Sequence, residues 1–220
     1  MYYLREDHTK KKVEEIQRVC MNIIATDSAL MYLYEEMKKD DSLYLHSSNV
    51  AELSCMIGLS YLLTVGDLID LYLGAFFHDI GKLKLNKDIL YKEGVLNDME
   101  RAYVGLHPLI GYKLLSHATM SQAALDIVRY HHEKINGTGY PEMLSGIEIP
   151  VLAQIATVAD IFEALQADRC YRKAFPMQKI EKGLKKDKGL NQIFVRILLE
   201  GIACQCEEHM PVETAAPLYA

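Results

Sequence analysis

Apolar residues recur at three- and four-residue spacing along most of the chain, and strict alternation is scarce. That pattern predicts helices and almost no strand. Residues 11–39 read as one or two helices, with Thr26 or Asp27 placed to cap the second. Residues 47–63 continue as a helix that sets Val50, Leu53 and Ile57 on one face, and Gly66 with Asp67 breaks it. DLIDLYLGAFFHDI resumes as a strongly apolar helix. GKLKLNKDILYKEGVLN, with Gly81 and Gly94, reads as loop. Asn97 precedes a short helix start, with Glu100 at the capping-box position. Pro108 takes a first helical position, with His107 just before it. SQAALDIVRYHHE is helical, INGTGYPEMLSGIEIP is a long turn region, and VLAQIATVADIFEALQ is helical again. The last helices fall near 177–187 and 191–208, and the tail is loose. The expected fold class is all-α.

Size and composition narrow the setting. The 220 residues, half of them apolar, suit one large domain or one domain with a small appendage. The expected division is an N-terminal helical segment over 1–40, a main domain over 41–210 and a tail over 211–220. No run reaches the roughly 18 apolar residues of a membrane span. The charged N-terminus lacks the apolar stretch of a signal peptide, which points to the cytoplasm. A net charge of -6 argues against binding nucleic acid polymers, but leaves room for a local basic pocket around one phosphate ligand. Cys20, Cys55, Cys170, Cys204 and Cys206 form no CxxC pair and read as free thiols in a reducing compartment.

The candidate chemistry lies in histidines and aspartates that end apolar runs. His131 follows Ile127 by four and His132 follows Val128 by four, so both extend an apolar stripe. His78 and Asp79 follow LGAFF. Asp160 extends a face of small residues that includes Ala153 and Ala156. A buried carboxylate is costly unless a cation meets it. Aspartates and neutral imidazoles together are ligands for a divalent metal, which answers that cost at one stroke. His46 and His107 could be helix-capping residues or members of the same set. His8, His117 and His209 stand in polar or terminal surroundings and receive no role.

In order along the chain stand HDIGK (78–82), HP with Gly111 (107–111), HHE with GTGYP (131–141) and VAD (158–160), flanked by HSSNVA and DRCYRKA. This ordered set resembles the HD-GYP group of the HD-domain metallohydrolases, from His46 to about Arg172. The resemblance implies an all-helical HD bundle, here with a short N-terminal helical extension. It implies a centre of two or three metals, usually iron or manganese, and cleavage of cyclic di-GMP. Carried over by position, the ligands are His46, His78, Asp79, His107, His131, His132 and Asp160, with Asp79 bridging. Three-metal members carry a glutamate where this chain has Ser42, so two divalent ions are expected. The nitrogen- and oxygen-rich set also admits zinc.

Further roles follow from the same resemblance. Lys82 contacts the scissile phosphate, where it could stabilise charge or protonate the leaving oxygen. Gly137 and Gly139 would take positive φ so that Tyr140 turns toward the centre. The same loop contributes contacts to signalling partner proteins. Arg169 and Arg172 stand where relatives contact the ligand's bases. Glu163 replaces an aspartate and could still accept from guanine. Cys170 stands where the family has proline, and GLNQIF (189–194) replaces a glycine followed by FDP, so the C-terminal side of the pocket differs. The expected reaction is hydrolysis of cyclic di-GMP to pGpG or GMP by a metal-activated hydroxide. The alternatives are hydrolysis of another cyclic dinucleotide or nucleotide, and a regulatory module that binds a cyclic dinucleotide with little turnover. Residues 1–40 either pack on the same core or offer an input or homodimer surface.

Overall fold

The computed structural model describes residues 6–167 and 173–208. Its α-helices are α1 (Glu6–Thr26), α2 (Ser28–Met37), α3 (Asp41–Ser60), α4 (Val65–Phe76), α5 (Lys87–Leu90), α6 (Asp98–Val104), α7 (His107–Leu115), α8 (Gln122–Tyr130), α9 (Val151–Gln166), α10 (Met177–Lys186) and α11 (Gln192–Glu208). Two 3-10 turns, Ile80–Lys84 and Gly146–Glu148, complete the regular structure of the described residues. The all-α expectation holds. The described residues carry one isolated antiparallel bridge, Asn136 to Ser145, and no strand. None of their helices is long and apolar enough to cross a membrane.

Helices α3, α4, α8 and α9 form a closed ring of neighbours: α3 packs on α4, α4 on α8, α8 on α9, and α9 back on α3. Buried Val50, Ile57, Leu71, Phe76, Ile127 and Ile155 join one core, and α1 and α2 add Ile24, Leu30 and Met37 to it. Helices α1 and α2 thus share that core. The C-terminal ends of α4 and α8 lie at one end of the ring, together with the first turns of α3 and the last turns of α9. That end carries the polar residues discussed below.

Several boundaries differ from the sequence expectation, each for a local reason. Helix α3 starts at Asp41 rather than 47, because Asp40 caps it by accepting from Leu43 N at 3.1 Å. His46 is therefore inside the helix and not its cap. The break before α4 lies at Tyr61–Thr64, with Leu62 at φ 65, and not at Gly66 and Asp67. Thr64 and Asp67 form a capping box, which puts Gly66 and Asp67 within the first turn. The stretch expected as loop after Gly81 contains the Ile80–Lys84 turn and α5. Leu106 occupies the N-cap of α7, so His107 is the first helical residue and Pro108 follows it within the first turn, where a missing N–H costs nothing. Helix α8 ends at Tyr130, and His131, His132 and Glu133 lie beyond it. Arg169, Cys170, Arg172, His209 and the 211–220 tail fall outside the described residues, and the structure does not describe the side chains of Cys204 and Cys206.

Asp27 ties three elements together. Its carboxylate accepts from Ala29 N at 2.8 Å and Leu30 N at 3.0 Å at the start of α2, and from Thr119 N at 2.7 Å in the loop before α8. The backbone N–H of Leu30, then that of Thr119, pulls its pKa down to about 2. Asp27→Ala is expected to cost about 1–2 kcal/mol at neutral pH, measured by urea denaturation. A folded-state pKa below the ordinary value of 3.8 makes this stabilisation complete above that value. The difference between wild type and variant should therefore shrink as pH falls from 3.8 toward 2. A gap independent of pH would mean the carboxylate's charge contributes nothing.

Candidate metal centre

Three histidines owe their orientation to spare carbonyls at helix ends. The last carbonyls of a helix lack intrahelical donors. His78 Nδ1 donates to Ala75 O at the end of α4, at 2.6 Å. His107 Nδ1 donates to Val104 O, the last residue of α6, at 2.8 Å. His131 Nδ1 donates to Val128 O at the end of α8, at 3.0 Å. A carbonyl only accepts, so the proton of each ring sits on Nδ1 and Nε2 is left as a bare lone pair. All three rings are essentially inaccessible to water.

These lone pairs converge. His107 Nε2 lies 3.2 Å from His131 Nε2 and 3.2 Å from His132 Nε2. With both protons on the far nitrogens, the His107 and His131 contact sets two electron pairs against each other. His78 Nε2 and Asp79 Oδ1 are buried without a hydrogen-bond partner. Such an arrangement is costly in a dry interior, and a cation among the lone pairs would turn repulsion into ligation. The donor set therefore fits a metal centre.

Asp79 stands in the middle with its two oxygens on different partners. Oδ1 lies 3.1 Å from His107 Nε2 and 3.9 Å from His131 Nε2. Oδ2 lies 3.4 Å from His78 Nε2 and 3.5 Å from His46 Nε2, and it also pairs with Lys82 Nζ. Asp160, on α9, places Oδ1 3.2 Å from His46 Nε2 and Oδ2 3.9 Å from His132 Nδ1. Two groups result: Asp79 with His107, His131 and His132, and Asp79 with His46 and His78. The set could hold two cations that share Asp79. All seven residues expected as ligands meet in this one cage.

The electrostatics carry the same message. Burial alone would raise Asp79, yet Lys82 and the surrounding imidazoles hold its pKa well below the usual carboxylate range. Asp160 is likewise lowered against the effect of burial, chiefly by His46. Burial pulls His46 down, but its bonds to Asp160, Asp79 and Glu163 push it up to about 11. On the other side, burial and neighbouring imidazoles hold His131 far below 6.5 and His132 down to about 3. Those two rings stay neutral, the state in which imidazole binds a metal.

The remaining expected site residues divide. Lys82 is partly exposed beside Asp79. The Tyr140 ring lies 4.7 Å from that of His132, between centroids. Glu163 lies behind His46 rather than in the lining of the cleft beside Asp79. It is buried, with one carboxylate oxygen on His46 Nδ1 and the other accepting from Asn49 Nδ2 at 3.3 Å. The longer side chain, one helical turn beyond Asp160, reaches across to α3 and orients His46 from behind. Gly137 takes the positive φ expected of it, at 74°, but Gly139 does not. A Cβ on Gly139 would sit 2.4 Å from Lys134 N and 2.5 Å from His132 O, so glycine is needed there for close approach.

Glu133 is the residue sequence reasoning passed over. It is buried, and its carboxylate accepts from Glu142 N at 2.7 Å and Leu144 N at 3.1 Å. With Tyr140 N donating to His132 O at 3.2 Å, it fastens the 140–144 loop against the two histidines. The signal was a third ionisable residue directly after two ligand candidates and just before a turn with spare N–H groups. Glu133→Ala is expected to lose about 2–3 kcal/mol of stability. Any turnover should fall roughly tenfold, as Tyr140 drifts off His132. Thermal melts and steady-state rates on the same preparation check both, and a full rate would separate the loop from the site.

Comparison with known sequences places these features in a family. The family model described as HD domain matches residues 18–189. The chain belongs to the HD domain family. This HD domain is 34% identical over 171 residues to a cyclic di-GMP phosphodiesterase, PA4108, of Pseudomonas aeruginosa, covering 76% of the chain and 40% of that protein. It is 41% identical over 138 residues to the 3'3'-cGAMP-specific phosphodiesterase 3 of Vibrio cholerae, covering 61% of the chain and 29% of that protein. The chain thus spans well under half the length of these relatives. Among solved structures, the HDG"Y"P protein Bd1817 from Bdellovibrio bacteriovorus superposes with a TM-score of 0.65 at 21% identity, over 90% of this chain and 62% of that one. That likeness shows the shared HD fold.

Proposed function

We propose that this HD domain is a metal-dependent phosphodiesterase that hydrolyses cyclic di-GMP to pGpG, to GMP, or through one to the other. The observation that carries the reading is the shared carboxylate: Asp79 offers one oxygen to each half of a buried imidazole cage, beside an open cleft. Sequence likeness to a cyclic di-GMP phosphodiesterase supports the substrate class. Asp79 with His107, His131 and His132 on one side, and with His46 and His78 on the other, would hold two divalent ions, which would polarise a phosphate and supply hydroxide near neutral pH. The nitrogen and oxygen donors suit iron or manganese and admit zinc.

The chain's own groups supply the rest. Lys82 borders the cleft, where its ammonium can donate to a non-bridging phosphate oxygen or protonate the leaving oxygen. Asp79 pairs with that ammonium and holds it in place. Tyr140 offers a ring for stacking and a hydroxyl for a hydrogen bond beside His132. Glu163 keeps His46 turned inward. Exposed Met143 and Ile147, just past the GTGYP turn, are the surface on which a signalling partner would rest.

Anaerobic incubation of the iron- or manganese-loaded protein with cyclic di-GMP, followed by chromatography of the products, tests the reading. Linear pGpG or GMP is expected, and no product under either metal would overturn it. A second reading, cleavage of 3'3'-cGAMP, is favoured by the likeness to the Vibrio cholerae enzyme. The same assay run on both dinucleotides separates the two, and tight binding without product would point to a regulatory module.

A further inference from the structure

The cleft beside Asp79 is larger and more cationic than one phosphodiester requires. It encloses about 770 Å³, within the range of sites that bury whole ligands of roughly 300–1,000 Å³. His46, Asp79 and Lys82 line it where it meets the cage, and Lys87, Lys92 and Arg101 line it from the segment after the HDIGK turn. These cations are not equivalent. Asp79 compensates Lys82. Both oxygens of Glu100 hold Lys92, at 2.8 and 2.9 Å. Asp98 holds Arg101 at 2.5 Å. Lys87, exposed on the first turn of α5, makes no ion pair among the described residues. The remaining carboxylate of the lining, Asp40, is taken up by Leu43 N and the Tyr91 hydroxyl, and much of the rest of the wall, with Leu83, Leu90 and Val95, is apolar and suits nucleobases.

A cyclic dinucleotide carries two phosphodiesters joined through one ring, and only one of them can lie at Asp79 and Lys82 at a time. We propose that Lys87 is the subsite for the second, uncleaved phosphodiester, and that it selects two-phosphate cyclic substrates over single diesters. The inference rests on the phosphodiesterase reading given under Proposed function. An ammonium without an anionic partner, on the wall of a cleft that receives an anion, gains a charge-assisted bond when the second phosphate arrives and gives up no existing one. The other cations of the cleft would first have to release a carboxylate.

The test compares cyclic di-GMP with bis(p-nitrophenyl) phosphate, a single diester too small to bridge the two positions, on the manganese-loaded protein. In Lys87→Met, the ratio of kcat/KM for the dinucleotide to that for the diester should fall about tenfold, mostly through KM for the dinucleotide. Lys87→Arg should restore it to within about threefold, because the charge returns on a different fork. Lys185→Met, which removes a lysine paired with Glu181 outside the cleft, should leave the ratio alone. A ratio in Lys87→Met within about twofold of wild type, or equal losses on both substrates, would overturn the subsite while leaving the phosphodiesterase standing. A wild type that cleaves the diester but never the dinucleotide would remove the function and the subsite together.

Discussion

Asp79→Asn is expected to strip metal from the cage and to slow the reaction by about three orders of magnitude. The amide keeps the shape of the carboxylate but carries no charge, and one of its two ends becomes a donor. Whichever way it turns, either the His107 and His131 side or the His46 and His78 side loses its oxygen ligand. Metal content should fall from two ions per chain to one or none by elemental analysis. Turnover should fall on the order of 10³-fold, the size of losing a group that stabilises transition-state charge. Lys82 loses its partner as well, so its position at the cleft should loosen. The fold should survive, because the substitution keeps the volume and the ring of four helices is packed by apolar residues. A variant that keeps two ions and the wild-type rate would take Asp79 out of the shared position.

Gly81→Ala is expected to have the largest effect on stability. Gly81 lies in the Ile80–Lys84 turn, where the chain passes directly against the start of α7. A Cβ there would sit 2.0 Å from His107 O, 2.7 Å from Gly111 N and 2.9 Å from His107 C. All three are backbone atoms, which cannot rotate away, so α7 itself would have to move. The cost should be about 3 kcal/mol, at the upper end for overpacking. For a chain of this size that is a fall in Tm of roughly 6–12 °C. His107 moves with the helix, and a shift of about 1 Å in a reacting site can cost on the order of 10²-fold in rate. Gly111→Ala is the internal comparison. Its Cβ would meet Val128 Cγ1 at 3.0 Å and Gly81 N and Ile80 Cγ2 at 3.3 Å, all looser than the 2.0 Å approach at Gly81, so it should cost less. Equal melting of Gly81→Ala and wild type would show that the close approach of turn and helix does not constrain the protein.

The sequence revealed which residues meet but not how they are held. His78 with Asp79 and His131 with His132 were legible because each pair ends an apolar run, and a polar pair there has to be answered inside the fold. The tautomers of His78, His107 and His131 were not legible, because the groups that fix them are the carbonyls of Ala75, Val104 and Val128. Any residue supplies a carbonyl, so no sequence pattern marks it. Glu133 escaped for the same reason, since its partners are the backbone N–H groups of Glu142 and Leu144. The contact of Glu163 with His46 was not legible either, because it depends on the approach of α3 to α9. The start of α3 was hidden in the polar DDSLYLH stretch. There the deciding signal was the Asp40 cap rather than an apolar period.

On the proposed function, the buried cage would hold two divalent ions on the two oxygens of Asp79. Anomalous diffraction from manganese-loaded crystals, collected at the manganese edge, tests it most directly. Two peaks about 3.5–4 Å apart are expected, one on each side of Asp79, toward His46 and His78 and toward His107 and His131. One peak, none, or two that share no aspartate would contradict it.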